Sequence, residues 1–353
     1  MSATTIPQVM DVTDLMGARL RLHALAREDD SRGHFADDVR RGLTSQPKRL
    51  FPKYFYDALG SQLFEAICLL PEYYLTRAED EILSRHADEI VCAVSAPHIT
   101  LIEFGSGSSA KTRHLIDALL RHQEGLLYVP IDISPSVLES AAHTLLDTCE
   151  RLSIEAYAAD YDDALARLKN DATTRARTLA LFLGSNIGNF ETREAGEFLR
   201  KVRGALQAGD ALLVGADLKK DTRVLEEAYD DPLGVTAAFN LNLLARINRE
   251  LGADFDLKSF QHVARYDERA GRVEMYLKSL CEQTVRFGAL SLEVNFNASE
   301  RIHTENSHKY DMAALDALAA RSGFARTRTW LDEHKQFSSN LFTAIAESEP
   351  RHD

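Results

Sequence analysis

Between residues 99 and 217, apolar runs and amphipathic stretches alternate along the chain. ITLIEF (99–104) is a short apolar run closed by glycine, and LLYVPID (126–132) and SIEAYAAD (153–160) follow it. TLALFLGS (178–185) is continuously apolar, the pattern of a parallel strand covered on both faces. ALLVGAD (211–217) reads as a further strand. Between these runs, apolar residues recur with helical period. Leu115, Ile116, Ala118, Leu119 and Leu120 lie within 111–123, and Leu138, Ala142 and Leu145 follow Ser134-Pro135, an N-cap and first-turn pair. TREAGEFLRKVRGAL predicts a helix that stops before Gly209. Strands spaced by helices of this length predict βαβ units and a doubly wound α/β sheet.

The rhythm breaks at residue 218. A helix is expected over 237–251, followed by strand-like RVEMYLKSL and LSLEVNF, a helix over 312–322, and a hairpin from ARTRTWLDE and NLFTAIAE. The expected organisation is a flexible arm (1–30), a Rossmann-like domain (78–217 and 309–349), and a smaller discontinuous substrate-binding domain (31–77 and 218–308). The terminal ESEPRHD is expected to fray.

Composition narrows the function. The 353 residues are 45% hydrophobic, enough for a sizeable core. With 41 basic and 54 acidic residues the net charge is −13, and no basic patch suggests nucleic acid or a membrane surface as partner. The short clusters Arg40-Arg41 and Lys219-Lys220 read as solvated faces. Cys68, Cys92, Cys149 and Cys281 lack CxxC spacing, so reduced thiols and a cytoplasmic setting are expected. His303 and His308 have no companion ligand pattern, and no metal is expected. The N-terminus lacks a basic region followed by an apolar run, and no run of about 18 apolar residues predicts a membrane span.

The glycine-rich turn Gly105-Ser106-Gly107-Ser108-Ser109-Ala110 between strand and helix marks a nucleotide site. Three acids on successive strand ends refine it. Glu103 precedes the loop, where a negative charge suits a sulfonium or α-ammonium better than a phosphate. Asp132 ends the next strand and can accept both ribose hydroxyls. Asp160-Tyr161 ends the third and suits an adenine. This pattern fits S-adenosylmethionine better than NAD, although any one of these acids can equally cap the following helix. Lys111, expected in the first helical turn, can grip a ligand carboxylate or remain solvated.

Beyond the loop, FYDALGSQLFEAICLLPEYYLTRAEDEIL (55–83), FLGSNIGNF (182–190), AYDDPLGVTAAFN (228–240), RVEMYL (272–277) and HTENSHKY (303–310) occur in order. Together they resemble the L-histidine Nα-methyltransferases of ergothioneine biosynthesis, over roughly residues 33–347. The resemblance implies a Rossmann-like class I methyltransferase fold with a second, substrate-binding domain. It implies S-adenosylmethionine as methyl donor and three successive methyl transfers to histidine, giving hercynine. Cofactor positions would be Gly105, Lys111, Asp132, Asp160 and Tyr161. Tyr73, Asn189 and Tyr229 would hold the amino-acid backbone, while Glu305 and Ser307, flanking Asn306, would read the imidazole beside Met275. Tyr56 would lie near the α-amino group, as a positioning residue rather than a firm base. A monomer acting on histidine and its mono- and dimethylated forms is expected.

The residue types agree with that chemistry. Hydroxyls and an amide can hold a carboxylate, and Glu305 and Ser307 alternate, so an extended segment would turn both to one side and Asn306 away. Phe64, Phe239 and Tyr56 can stabilise a growing ammonium charge through their ring faces, or serve simply as core. Three rival readings remain: a methyltransferase of another small amine, a non-catalytic S-adenosylmethionine-binding module, and an NAD-linked oxidoreductase.

Overall fold

The computed structural model describes residues 19–24, 28–171 and 176–346. Its strands, in chain order, begin with β1 (Leu20–Ala24), β2 (Ile99–Phe104), β3 (Leu126–Asp132), β4 (Leu152–Ala158), β5 (Arg177–Phe182) and β6 (Ala211–Asp217). After the break at 218 come β7 (Phe260–Asp267), β8 (Arg272–Ser279), β9 (Gln283–Phe287), β10 (Leu292–Phe296) and β11 (Arg301–His308), then β12 (Phe324–Leu331) and β13 (Phe337–Ala344). The main sheet runs β1-β4-β3-β2-β5-β6-β13-β12, parallel up to β6 and antiparallel at β13 and β12. A three-stranded sheet, β11-β8-β7, and the β9–β10 ribbon stand apart from it.

The continuous apolar runs are explained by helices on both faces. Helices α1 (Glu28–Thr44), α2 (Ala58–Cys68) and α3 (Tyr74–Ala93) precede β2; α4 (Arg113–His122), α5 (Pro135–Thr148), α6 (Tyr161–Asp171) and α7 (Thr192–Gly204) connect the parallel strands. The last three are α8 (Thr222–Glu227), α9 (Val235–Leu251) and α10 (Met312–Arg321). Successive strand residues point to opposite faces. Leu101, Leu179 and Leu213 join one apolar core with Ile82, Leu115 and Leu138, while Ile102, Phe182 and Val214 join another with Leu165, Leu199 and Leu315. Among the described residues, no helix is long and apolar enough to cross a membrane.

Three expectations need correction. Residues 20–24 are not a loose arm: they extend the main sheet, pairing in parallel with β4 from Leu20–Ile154 to Ala24–Ala158. The rest of that arm up to residue 18, and ESEPRHD, lie outside the described residues. Helices α1 to α3 carry residues that the strand–helix reading left unassigned, although Phe35, Val39 and Leu43 recur at four-residue spacing and are buried. Lys220 is no solvated charge. Its ammonium lies against Asp217 and Tyr74, and burial pulls its pKa down to about 8.

Candidate active site

The carboxyl ends of β2 to β6 converge on the glycine-rich turn, the edge where doubly wound sheets bind ligands. The turn is tied to its neighbour strand: Gly105 and Ser106 donate their amides to Ile131 O at 2.8 and 3.1 Å, and Gly107 N donates to Asp132 Oδ2 at 3.0 Å. Gly105 has φ +73°, and a Cβ there would lie 2.7 Å from Tyr161 OH and 3.1 Å from Asn186 Nδ2. A side chain would therefore fill the cradle. Asp132 also accepts Ser134 N at 3.0 Å, and burial raises its carboxyl against those hydrogen bonds. Asp160 is exposed and caps α6 through Asp163 N at 2.9 Å, so the capping role of this acid is real. Tyr161 packs edge-on to Phe104 and Phe182.

Two further details differ from the sequence reading. Lys111 precedes the α4 N-cap, Thr112, rather than lying in the first turn, and its ammonium pairs with Glu79 of α3. Burial works against that charge, yet the Glu79 carboxylate holds it above its ordinary value. Glu103 lies buried, accepting from Thr112 Oγ1 at 2.7 Å and from Tyr128 OH, and burial raises its pKa to about 7. It braces the loop through these hydroxyls.

Beside the turn lies a cavity lined by Tyr56, Tyr73, Asn189, Tyr229, Met275, Glu305 and Ser307. Asn186 lines it as well and touches the Gly105 cradle, so cavity and turn adjoin. Each lining residue comes from a different local device. Asp57 caps α2 through Gly60 N at 2.7 Å and receives Asn242 Nδ2 of α9 at 2.8 Å, which seats the neighbouring Tyr56 between two helices. Tyr73 is the N-cap residue of α3. Asn189 ends the short 3-10 turn after β5. In that turn Gly188 lets β11 approach: a Cβ would lie 2.8 Å from His308 O.

On β11, Glu305 stands opposite Met275 of β8 and Ser307 opposite Val273. Both acid and hydroxyl are buried. Burial raises Glu305 to about 7, although the Lys309 charge lowers it. Asn306 faces the other way, donating to Glu191 at 2.6 Å and meeting His303 Nε2 at 2.7 Å, and does not line the cavity. Phe64 and Phe239 complete an aromatic wall with Tyr56, their ring centroids 5.5 to 6.0 Å apart. Burial raises the phenol pKa values of Tyr56 and Tyr73, keeping both protonated.

Sequence reasoning missed Thr236, Ser185 and Asn186, which also line the cavity, and the charges behind it. The first three fall inside the quoted motifs, a signal that was available. Glu79 is fully buried, accepts Gly184 N at 2.9 Å on each oxygen, and joins α3 to the loop after β5. Lys309 and Asp217 form a buried pair at 2.8 Å. Glu79 and Lys309 also fall inside quoted motifs, but their residue type and spacing do not distinguish them from solvated charges.

Comparison with known proteins identifies the family. Residues 35–344 match the family described as histidine-specific methyltransferase, SAM-dependent. The histidine N-alpha-methyltransferase of Mycobacterium tuberculosis is 46% identical over 312 residues, 88% of this chain and 95% of that protein. Its Mycolicibacterium smegmatis counterpart is 45% identical over 304 residues, 86% and 93% of the two chains. The ergothioneine biosynthesis protein 1 of Schizosaccharomyces pombe is 30% identical over 262 residues, 72% of this chain but 33% of that longer protein. A family match over most of the length, on a doubly wound sheet with a glycine cradle beside a polar aromatic cavity, leads to one conclusion: the chain belongs to the histidine-specific, S-adenosylmethionine-dependent methyltransferase family.

Proposed function

We propose that the protein methylates the α-nitrogen of L-histidine three times, through the mono- and dimethylated amines, to give hercynine for ergothioneine biosynthesis. One observation carries this reading: Glu305 and Ser307, a buried carboxylate and hydroxyl on one face of β11, share a cavity with Tyr73, Asn189 and Tyr229. The first pair suits the two imidazole nitrogens, and the second set suits an amino-acid backbone. The mycobacterial and fission-yeast names above support the same substrate and pathway.

S-adenosylmethionine, when bound, supplies a methyl group already activated on a sulfonium. The Gly105–Gly107 turn, with the Asp132 carboxylate at the adjoining strand end, suits a ribose. Tyr161 suits the adenine ring face, with Asp160 beside it, and Lys111 suits the carboxylate of the amino-acid end. The chain's own task is to hold a neutral amine in line. An α-amino group has a pKa of about 8, so a large share is protonated near neutrality. Tyr56 and Tyr73, kept as phenols, orient the amine by hydrogen bonding, and its proton leaves to solvent. As the nitrogen becomes a permanent cation, the rings of Tyr56, Phe64 and Phe239 offset its loss of hydration.

We further assign the segments 78–217 and 309–349 to the cofactor and the segments 31–77 and 218–308 to the substrate. We also propose that the protein acts as a monomer, and its four free cysteines support a reducing, cytoplasmic setting. Mass spectrometry of histidine incubated with protein and S-adenosylmethionine tests the assignment. Products with one, two and three added methyl groups, all on the α-nitrogen, are expected. Methylation of the ring would overturn it.

A further inference from the structure

Lys309 follows β11 and its side chain is wholly buried. It does not line the cavity. Its ammonium reaches Asp217 Oδ2 at 2.8 Å and donates to Tyr229 OH and Ser307 Oγ at 2.9 Å each. An ammonium has three donors and no acceptor, so all its hydrogen bonds are committed. Its hydrogen bonds reach a ligand only through the two hydroxyls, while its charge also acts through space on Glu305.

Those hydroxyls lie 2.8 Å apart, so one of them donates to the other. Each oxygen already accepts from the same cation. Either hydroxyl could donate on geometry alone; a phenol is a stronger acid than an alcohol, which favours Tyr229 as donor and Ser307 as acceptor. Ser307 then accepts twice and directs its own proton to the cavity, while Tyr229 meets the amino-acid backbone with a lone pair that can accept from the amine, leaving the carboxylate to Tyr73 and Asn189. Asp217 fixes the cation in place. It also accepts Tyr74 OH at 2.8 Å and pairs with Lys220, and its amide donates to Ser185 Oγ at 3.0 Å.

We propose that Lys309 is a positioning residue that sets the proton direction of the Tyr229–Ser307 pair. It makes Ser307 a donor, so that the site takes neutral imidazole in a single tautomer. The unprotonated ring nitrogen faces Ser307 and the N–H faces Glu305. This inference rests on the cavity being a histidine site. It explains how one hydroxyl, able in isolation either to donate or to accept, reads only one protonation state of the ring. An imidazolium would present a proton to an oxygen whose acceptor positions are already occupied.

Ring-¹⁵N-labelled histidine bound to the full chain with S-adenosylhomocysteine tests this by NMR. In the wild type, one protonated and one unprotonated ring nitrogen are expected, without tautomer averaging. A bound imidazolium or a tautomer mixture would overturn the proposal without any variant. In Lys309→Met, Asp217 retains Lys220 and Tyr74, and the double variant Lys309→Met/Asp217→Asn removes the buried pair together. Both should lose the single tautomer and bind histidine about tenfold more weakly by calorimetry. S-adenosylhomocysteine affinity should be unchanged. A variant that keeps the single tautomer and wild-type histidine affinity, or one that loses both ligands equally, overturns the positioning role and leaves the histidine reading intact. A wild type that binds no histidine overturns both.

Discussion

Replacing Glu305 by glutamine should stabilise the ligand-free protein at alkaline pH while weakening its hold on histidine. The side chain is 8% exposed, and burial raises its pKa from 4.5 to about 7. At about 1.36 kcal/mol for each tenfold change in proton affinity, ionising it inside the fold costs about 3 kcal/mol. Between pH 4.5 and about 7 the native state keeps a proton that the unfolded chain releases. Stability therefore falls as pH rises through this window. Glu305→Gln holds no such proton and escapes the loss. Urea unfolding should show nearly equal stabilities at about pH 5 and an advantage for the variant of about 1–3 kcal/mol at about pH 8. Glu103, also raised to about 7, is common to both proteins and cancels in the difference. Calorimetry should show the opposite trend for the ligand. Glu305→Gln exchanges a charge-assisted bond for a neutral one and should lose about 1 kcal/mol. Glu305→Ala, which leaves a ring N–H unpaired, should lose about 1.5–3 kcal/mol, roughly 10- to 150-fold in kcat/KM. A stability gap that does not change with pH would refute the buried-carboxylate argument, and unchanged histidine affinity in Glu305→Ala would refute its role in binding.

Asp132→Ala should weaken S-adenosylhomocysteine binding by about 1.5–3 kcal/mol and histidine binding far less. Unchanged calorimetric affinity would mean that the acid serves only Gly107 and Ser134, whose amides it accepts. Gly215→Ala tests the Glu79 anchor, because a Cβ there would lie 2.0 Å from Glu79 Oε1 and 3.2 Å from Phe337. The carboxylate must move away from Gly184 N and Lys111, with a stability loss of about 1–3 kcal/mol and weaker cofactor binding. Wild-type unfolding and affinity in that variant would show that Glu79 does not anchor the loop.

The core of the sheet was legible because burial on both faces leaves an unmistakable imprint. LALF (179–182) is apolar at every position, and β5 packs Leu181 to one core and Phe182 to the other. The glycine turn was equally plain, since positive φ and close approach admit little else. β1 left no such imprint: it is a short edge strand, partly buried, whose existence depends on β4 offering its hydrogen bonds. The alternation of Glu305, Asn306 and Ser307 correctly suggested that the middle residue turns away. Only the pairing with β8 put Met275 opposite Glu305. Lys219-Lys220 shows the limit most clearly. One lysine pairs with Asp311 in solvent and the next is buried against Asp217, with nothing between them in sequence to tell them apart.

Over 99–217 the sequence by itself determined the local conformations and the order of the elements, and throughout the chain it set the chemical types available, because periodicity, capping and glycine act within a few residues. The motifs also carried the family. What tertiary structure decided is which charges leave water and which hydroxyls meet. Glu79 beside Lys111 and Gly184, and Lys309 beside Asp217, Tyr229 and Ser307, join residues 32 to 105 positions apart in the first case and 2 to 92 in the second. Whether a carboxylate or ammonium is buried depends on what packs over it and which counter-charge arrives from another element. That information belongs to the fold as a whole, and with it the proton positions of the site.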